Sequence, residues 1–282
     1  QRDAYGSWTL VEKVQLEKYL LGVVPHEIGS SSPPAALASQ AVLARTWALA
    51  NSHRFRVDGY HLCSDTQCQV YKNPDEASKE VSQAIKNTSG KVLTWKGKPI
   101  NAVYHATNGG VMASSNEAWA MKPLPYLRTF LDGSKRWKKR FSLPLDNPLK
   151  IRNFLSKRDG AFGNNHYLFR WQRELSSKDL KEALAPLRSN FGFPKTVEVL
   201  KRGPSGRVLA MQILGSKSPV PIILEKDSIR RIFRTLPSTL FFVDQVDQAN
   251  WKFYGGGFGH GAGLSQAGAI DLAHRGWPTQ KI

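Results

Sequence analysis

The sequence has no run approaching about 20 uninterrupted apolar residues, and it therefore predicts no membrane-spanning helix. It also has no convincing internal repeat and no low-complexity linker. Apolar material is nevertheless ample, because hydrophobic residues make up 41% of the 282 positions and include 8 Trp, 13 Phe and 8 Tyr. This composition argues against disorder and supports a sizeable core, in one large domain or two smaller ones.

Acidic residues are scarce relative to basic ones. The 22 Asp and Glu residues face 40 Lys and Arg residues, which gives a formal net charge of +18 and a sequence pI near 10.0. A small domain needs only roughly 2–8 net charges for solubility. We therefore expect a polyanionic partner, which is a nucleic acid, an acidic lipid or an anionic cell wall, and charge alone does not choose among them.

Cysteine is also scarce, since only Cys63 and Cys68 are present. In an exported protein such a close pair predicts a short-loop disulfide, and the alternative is a metal site. Because the sequence begins at Gln1 rather than Met, we expect a mature or trimmed product whose targeting segment is gone, and the end at Ile282 looks like a cut.

Two helices are predicted near the start of the chain. Helical spacing of apolar residues predicts one over Gln15–Val24 that ends at Pro25, so that Glu27 follows the break and projects into a cleft. The run Ala35–Ala50 is apolar on nearly all sides and predicts a second helix that is central and buried. Because a buried Arg needs a partner, we predict that Arg45 of this helix lies beside Glu27.

The remaining elements mix helices and strands without regular alternation. They are a strand at Ser7–Val11, helices at Pro74–Asn87, Ser177–Leu187 and Asp227–Phe233, a hairpin at Gly90–Tyr104, and a strand near Phe241. Two further strands, at Thr196–Lys201 and Arg207–Leu214, are joined by a turn at Gly203–Gly206, which predicts that they pair. This pattern predicts an α+β fold in which helices and antiparallel strands surround the buried helix. We expect residues 1–282 to form one domain, with an alternative of two lobes: a core of 1–133 with 251–282 and an inserted, strand-containing lobe of 134–250.

The densest local signal is the glycine-rich run Gly255–Gly268, in which seven of fourteen residues are glycine. Such density indicates tight turns or close approach of the backbone to a ligand. The run lacks the Lys of a phosphate loop and the spacing of a dinucleotide fingerprint. It also misses the Gly-x-Ser-x-Gly nucleophile elbow, because Ala267 stands where the second Gly is required, so serine chemistry at Ser265 with His260 is a weak alternative.

Four blocks of the sequence, in order, resemble the SpoIID/LytB family, whose sporulation member is a lytic transglycosylase acting on peptidoglycan. The blocks are Glu17–Glu27 followed by Ala36–Ala48, then Asp65–Tyr71, then Tyr104–Gly110 with Trp119, and finally Gly259–Gly268. The weaker segment Ser205–Val208 also fits, while residues 130–200 match poorly. The resemblance implies a SpoIID-like fold with a substrate groove.

By this resemblance Glu27 takes the position of the family's catalytic carboxylate. It would protonate the leaving oxygen and then, as a base, take a proton from the C6 hydroxyl of the sugar, which yields a 1,6-anhydro-MurNAc end without water. A hydrolase usually needs a second carboxylate. The blocks contain no second acidic residue at an obviously paired position, with Asp65 and Glu117 as the possible exceptions, and this favours the one-carboxylate route. The structural alternative for Glu27 is a partner of Arg45.

The resemblance also suggests substrate-binding residues, each with a packing role as the alternative. They are Gln40, Arg45, Tyr104, His105, His260, Ser265 and Gln266. Trp119 could stack on a sugar face, whereas Trp47 fits the core better. No cofactor is required by the chemistry, but some family members hold zinc near the middle loop. Here His61, Cys63 and Cys68, with His53 or His105 as a fourth ligand, are the zinc alternative to the disulfide, which we slightly prefer.

The expected substrate is the peptidoglycan glycan strand, denuded of stem peptides, reached by an exported protein in the periplasm or cell wall. The main alternative is a non-catalytic wall-binding protein that stimulates a wall amidase, as amidase-enhancer relatives are described. A nucleic-acid partner is not expected, because no reader motif and no pattern of aromatic and basic residues on a sheet accompanies the positive charge.

Overall fold

The computed structural model describes Arg2 and residues 5–282 and divides the chain into two compact units. Unit 1 consists of the residues up to Tyr104 together with Ala269–Ile282, and unit 2 of His105–Gly268. Helices and antiparallel strands are mixed, which confirms the predicted α+β class. The prediction of an inserted 134–250 lobe stays a prediction. Among the described residues, no helix has both the length and the apolarity that crossing a membrane requires.

Unit 1 is built mainly from helices. Its elements are α1 (Leu16–Ile28), α2 (Pro34–Asn51), α3 (Lys79–Asn87), β1 (Thr94–Trp95), β2 (Lys98–Pro99) and β3 (Tyr104–His105), the last of which runs into unit 2. Short 3₁₀ turns cover residues 56–58, 74–76 and 279–281. The predicted hairpin is confirmed in its centre, where β1 and β2 pair around Lys96 and Gly97. The predicted strand at 7–11 is wrong, because only Trp8 forms an isolated bridge, with Arg2.

Helix α1 does not end at Pro25, contrary to the prediction from sequence. Pro25 lies inside the last turns, and the helix continues to Ile28 before Gly29 closes it with a positive φ of 90°. A proline removes one helical N–H, but its own carbonyl still accepts the N–H of Gly29 at 3.1 Å. Burial of the apolar face of the helix offsets that single missing bond. Glu27 therefore projects from a helical turn rather than from a break.

Helix α2 is buried along most of its length, as predicted. The expected pairing of Arg45 with Glu27 is wrong, since Arg45 pairs with Glu17 of α1 through Nε–Oε1 and Nη2–Oε2 distances of 2.7 and 2.8 Å. Glu17 and Glu27 are ten residues apart on one helix, so they lie about 15 Å apart along its axis and point in different directions. The guanidinium thus joins the first turn of α1 to α2.

The Arg45–Glu17 pair predicts an unequal effect of two conservative substitutions on stability. Arg45 is 1% exposed, so Glu17→Gln leaves a buried cation without its carboxylate. We expect the free energy of unfolding to fall by about 1–3 kcal/mol, measured by urea denaturation. The control Glu76→Gln alters an exposed carboxylate and should change stability by less than about 0.5 kcal/mol. Equal effects of the two substitutions would contradict the structural role given to the pair.

Unit 2 contains most of the strands. Its elements are β4 (Val111–Met112), α4 (Ser115–Ala118), β5 (Phe130–Leu131), α5 (Lys135–Arg140), α6 (Pro148–Leu155), β6 (Trp171–Ser176), α7 (Ser177–Leu184), β7 (Pro194–Arg202), β8 (Val208–Gly215), β9 (Ser218–Glu225), α8 (Asp227–Ile232), β10 (Phe241–Gln245), β11 (Asn250–Gly255), β12 (Leu264–Ser265) and α9 (Gln266–His274). The last helix runs into unit 1.

Two antiparallel three-stranded sheets organise unit 2, with strand orders β10-β11-β6 and β7-β8-β9. The predicted β7–β8 pairing is confirmed, with Val197 opposite Ile213. A core of aromatic and aliphatic side chains from both sheets fills the unit, including Trp251, Phe253 and Met211. A second cluster packs α5 and α6 around Trp137. The glycine-rich run therefore follows β11 and is held by a well-packed scaffold.

Candidate active site

Glu27 lies in the last turn of α1, partly exposed, with its carboxylate held by two donors. The backbone N–H of Val70 donates to Oε1 at 2.8 Å, and the hydroxyl of Tyr104 donates the second hydrogen bond. Burial raises the pKa of the Glu27 carboxyl, and the two hydrogen bonds oppose this effect without cancelling it. A raised pKa keeps more of the carboxyl protonated near neutral pH, which suits a group that must both donate and accept a proton.

A chain of hydrogen bonds orients the donor side chain. The hydroxyl of Tyr19 donates to Oε1 of Gln69 at 3.1 Å, and Nε2 of Gln69 donates to the hydroxyl of Tyr104 at 2.9 Å. Gln69 is 1% exposed, so its amide is fixed by these partners and by the carbonyl of Ala44. Since Tyr104 receives a hydrogen bond from Gln69, its own proton is directed to Glu27. Burial raises the pKa of Tyr104 well above its ordinary value, which keeps that proton in place.

The segment that carries Gln69 and Val70 crosses α1 in close contact. The N–H of Lys72 donates to the carbonyl of Gly22 at 3.1 Å, and the ring of Tyr71 stacks on Tyr19 with centroids 5.2 Å apart. A Cβ atom at Gly22 would overlap the Tyr71 ring and the Lys72 carbonyl. Gly22 thus permits the approach that brings the Val70 N–H within reach of Glu27.

In unit 2, the glycine-rich run packs against His105 and places its own His260 beside that ring. His105 is buried, and its Nδ1 lies 3.0 Å from the carbonyl of Ala262, which as an acceptor assigns the proton to Nδ1. Its ring lies 5.3 Å from that of His260, which in turn lies 4.6 Å from Trp119. Burial and then the neighbouring His260 lower the pKa of His105, so it is neutral. Its Nε2 acceptor has no hydrogen-bond partner in the described part of the chain.

Backbone shape explains why glycine is needed beside these rings. Gly259 has a φ of 106°, and a Cβ there would lie 2.8 Å from the Cβ of His105. Gly261 has a φ of 79° and lies directly against the guanidinium of Arg207, whose Nη1 and Nη2 donate to the carbonyls of Val111 and Asn108. Larger residues at either glycine would push the loop away from the histidine pair.

Ser265 is arranged as a structural residue rather than as a nucleophile. It is 4% exposed, and its Oγ accepts the N–H of Gly268 at 3.2 Å in the first turn of α9. Within the described residues, no histidine is among its hydrogen-bond partners. Gln266, the next residue, is also buried. This geometry disfavours the serine esterase alternative.

The chain is similar to proteins named for sporulation and to one named an amidase enhancer. A family model described as "Stage II sporulation protein" matches residues 4–95, and one described as "Domain of unknown function (DUF8618)" matches residues 113–263. The stage II sporulation protein D of Bacillus amyloliquefaciens is 29% identical over 290 residues, which cover 94% of this chain and 70% of that protein. The amidase enhancer of Bacillus subtilis (strain 168) is 27% identical over 274 residues, which cover 91% of this chain and 38% of that protein.

These matches support assignment of the chain to the SpoIID/LytB family.

A third relative, the stage II sporulation protein D of Bacillus subtilis (strain 168), is 31% identical over 134 residues, which cover 42% of this chain and 39% of that protein. The chain thus spans well under half the length of the two Bacillus subtilis relatives. The DUF8618 match lies inside unit 2 and includes residues 130–200, over which the resemblance of the sequence to the SpoIID/LytB family is poor.

Glu117, one of the two acidic candidates for a second carboxylate, is fully hydrogen-bonded within unit 2. It is 2% exposed, and its oxygens accept hydrogen bonds from the N–H and Oγ of Ser205 at 2.8 and 2.7 Å and from the N–H of Ser114 at 2.9 Å. Burial raises the pKa of Glu117, but hydrogen bonds from Ser205, Thr129 and Ser114 outweigh it and hold the pKa below the ordinary value. Glu117 is therefore a structural carboxylate that anchors the loop at Ser205.

The two cysteines form a disulfide that closes the loop immediately before Gln69 and Val70. Their Cα atoms lie 5.7 Å apart. With both sulfurs bonded to each other, Cys63 and Cys68 offer no thiolates to zinc, and His61 does not complete a metal site with them. In the described ranges, no three His, Cys, Asp or Glu side chains are grouped to hold a metal ion. The residues present thus do not fit the zinc alternative.

Several predicted site residues are buried on α2. Gln40 is fully buried, Arg45 is held by Glu17, and Trp47 is 7% exposed and belongs to the core. Gln69 and Val70 lie in the Asp65–Tyr71 block that resembles the SpoIID/LytB family, but the sequence alone assigned them no role. The one signal that could have found them is their position directly after the paired cysteines, since a closed loop fixes the residues that follow it.

The hydrogen-bond chain predicts how Tyr104→Phe alters Glu27. Removing the hydroxyl deletes a donor to the carboxylate, so the pKa of Glu27 should rise further. Gln69→Leu, which keeps the hydroxyl but removes the amide that orients it, should change the pKa in the same direction. The measurement is a carbon NMR titration of the Glu side-chain carboxyls, with the Glu27 resonance assigned from Glu27→Gln.

The control for this titration is Tyr167→Phe, which removes an exposed hydroxyl. It should leave the pKa of Glu27 unchanged. An unchanged or lower pKa in Tyr104→Phe would contradict the arrangement of donors around Glu27.

Proposed function

We propose that the chain cleaves the glycan strands of peptidoglycan by lytic transglycosylation, with Glu27 as the acid and then the base. The observation that carries this proposal is the partly exposed Glu27 carboxyl, whose pKa burial raises and whose orientation two donors fix. The protonated carboxyl donates to the glycosidic oxygen as the C1–O bond breaks. The resulting carboxylate takes the proton of the C6 hydroxyl, whose oxygen bonds to C1 and gives the 1,6-anhydro-MurNAc end.

The state of the other carboxylates supports a route that uses a single one. Hydrolysis by the usual mechanisms requires a second carboxylate to activate water or to form a covalent intermediate. Glu117 is buried and fully hydrogen-bonded, and Asp65 caps its own loop by accepting the N–H of Gln67 at 2.8 Å. Similarity to the SpoIID/LytB family supports a role at the cell wall in general.

Unit 2 has, by itself, two partly exposed rings that are suited to contact with a sugar. Trp119 is partly exposed and offers a ring face for stacking, and the neighbouring His260 is also partly exposed. His105 is buried behind these two rings, and its Nε2 is enclosed, so it supports the position of His260 rather than meeting the sugar. We further propose that the substrate is the glycan strand denuded of stem peptides. We also propose that the protein is exported and acts in the periplasm or cell wall.

A non-catalytic role is the second candidate. It is favoured by the relative named amidase enhancer, which aligns with 91% of this chain. In that case the chain would bind wall glycan and stimulate a separate amidase without needing a proton from Glu27. A purified wall amidase would then be stimulated equally by the wild-type chain and by Glu27→Gln, and neither would release anhydro-muramyl products.

The catalytic proposal predicts a large loss of activity in Glu27→Gln. An amide of the same size cannot donate the proton, so release of anhydro-muropeptides from denuded strands should fall by roughly 100- to 10,000-fold. The assay is mass analysis of timed digests of denuded and intact peptidoglycan. Glu76→Gln, which neutralises an exposed carboxylate, serves as the matched control and should retain wild-type rates. Equal rates in Glu27→Gln and the control would remove Glu27 from the mechanism.

A further inference from the structure

Positive charge is unevenly divided between the two units. Unit 2 contains 26 Lys and Arg against 12 Asp and Glu, a formal charge of +14, whereas unit 1 contains 14 against 10, a formal charge of +4. Most of the excess charge of +18 therefore belongs to unit 2. This uneven distribution indicates an anion-binding surface in unit 2, because an even distribution of charge would serve solubility equally well.

The surface with the highest density of cations is helix α5. Five of its six residues are basic, and all five are exposed, namely Lys135, Arg136, Lys138, Lys139 and Arg140. In the described part of the chain, none of these five side chains forms an ion pair or a hydrogen bond. Like charges three and four residues apart on a helix repel by about 0.2–0.5 kcal/mol per pair, so the fold carries this repulsion without an internal counter-charge.

A buried tryptophan fixes the direction of this basic face. Trp137, the one residue of α5 that is not basic, is fully buried, and its Nε1 donates to the carbonyl of Gly110 at 2.9 Å. Its ring packs against Phe141 and Phe154 with centroids 4.7 and 5.2 Å away. Because the helix is pinned by this side chain, the five cations are held outward as a preformed surface.

Neighbouring residues extend the positive surface. The N–H of Ser134, the N-cap of α5, donates to the carbonyl of Gly160 at 2.8 Å, which brings the segment that begins with Lys157 and Arg158 beside the helix. Two acids accompany it: Asp159, which is exposed, and Asp132, whose carboxylate accepts the side-chain amide of Asn108 at 2.6 Å. The net charge of α5 and its neighbours is therefore strongly positive.

We propose that the α5 surface binds a phosphodiester-bearing anionic polymer attached to the cell wall. Stacking of unpaired bases on α5 is excluded, because its only aromatic residue is turned inward. A nucleic-acid duplex needs only phosphate contacts, and duplex DNA is therefore a competitor in the test below. The exposed residues of α5 include no apolar side chain that would insert into a membrane, so an anionic membrane would attract this surface by charge alone. The choice of a wall polymer rests on the proposed wall-directed function, while the need for a polyanion rests on the charges alone.

The test measures binding of the full chain to purified walls before and after dilute hydrofluoric acid removes phosphodiester polymers. The test variant changes the five α5 cations to Gln. The matched control changes five exposed lysines of unit 1 to Gln, namely Lys13, Lys18, Lys86, Lys96 and Lys98. At about 0.1 M salt, we expect the α5 variant to bind intact walls on the order of tenfold more weakly than wild type, with a weaker dependence on salt. The control variant should bind intact walls nearly as strongly as wild type does. On stripped walls, wild type and the α5 variant should bind equally weakly.

Three results would overturn the proposal. They are equal losses in the two variants, undiminished binding of wild type to stripped walls, and binding to duplex DNA at least as tight as to intact walls and equally dependent on α5. Release of anhydro-muramyl ends from stripped walls is measured in the same samples and reports on the proposed glycan cleavage by itself. A failure of polymer binding with retained cleavage would therefore overturn only the α5 proposal, and the reverse would overturn only the enzymatic one.

Discussion

The proposed chemistry depends on the partial burial of one carboxyl group, that of Glu27, and on the two hydrogen-bond donors that oppose the effect of burial on its pKa. Burial favours the protonated form, and the Val70 N–H and the Tyr104 hydroxyl favour the charged form. The net effect raises the pKa of the carboxyl, which favours its protonated form more than in a solvent-exposed Glu and suits the acid step of the proposed chemistry. Either donor alone would leave the carboxyl less fixed in direction.

Much of unit 1 serves to keep those donors in place. Gly22 allows the 69–72 segment to lie directly on α1, and the Cys63–Cys68 disulfide closes the loop just before it. Gln69 is enclosed and uses its amide to set the direction of the Tyr104 hydroxyl. The Arg45–Glu17 pair joins α1 to α2 at the other end of α1. Packing and polar contacts thus converge on the orientation of one side chain.

The sequence predicted the elements whose signals are local. The buried helix α2, the β7–β8 pairing and the α+β class followed from apolar periodicity and turn residues. The end of α1 was misplaced at Pro25, because a proline rule describes one lost bond and not the burial that compensates for it. The partner of Arg45 was misassigned for a related reason, since nearness in sequence does not say which face of α1 a carboxylate occupies. The role of Gln69 depends on contacts with Tyr19 and Tyr104, which are 50 and 35 residues away, and no local pattern carries such contacts.

The most direct test of the central claim is whether water enters the cleavage products. Denuded glycan strands are digested by the full chain in water enriched in oxygen-18, and the new ends are examined by mass spectrometry. The account predicts 1,6-anhydro ends that carry no label, because the C6 hydroxyl of the sugar closes onto C1 and Glu27 handles both protons. New reducing ends that contain oxygen-18 would show hydrolysis and would contradict the single-carboxylate mechanism.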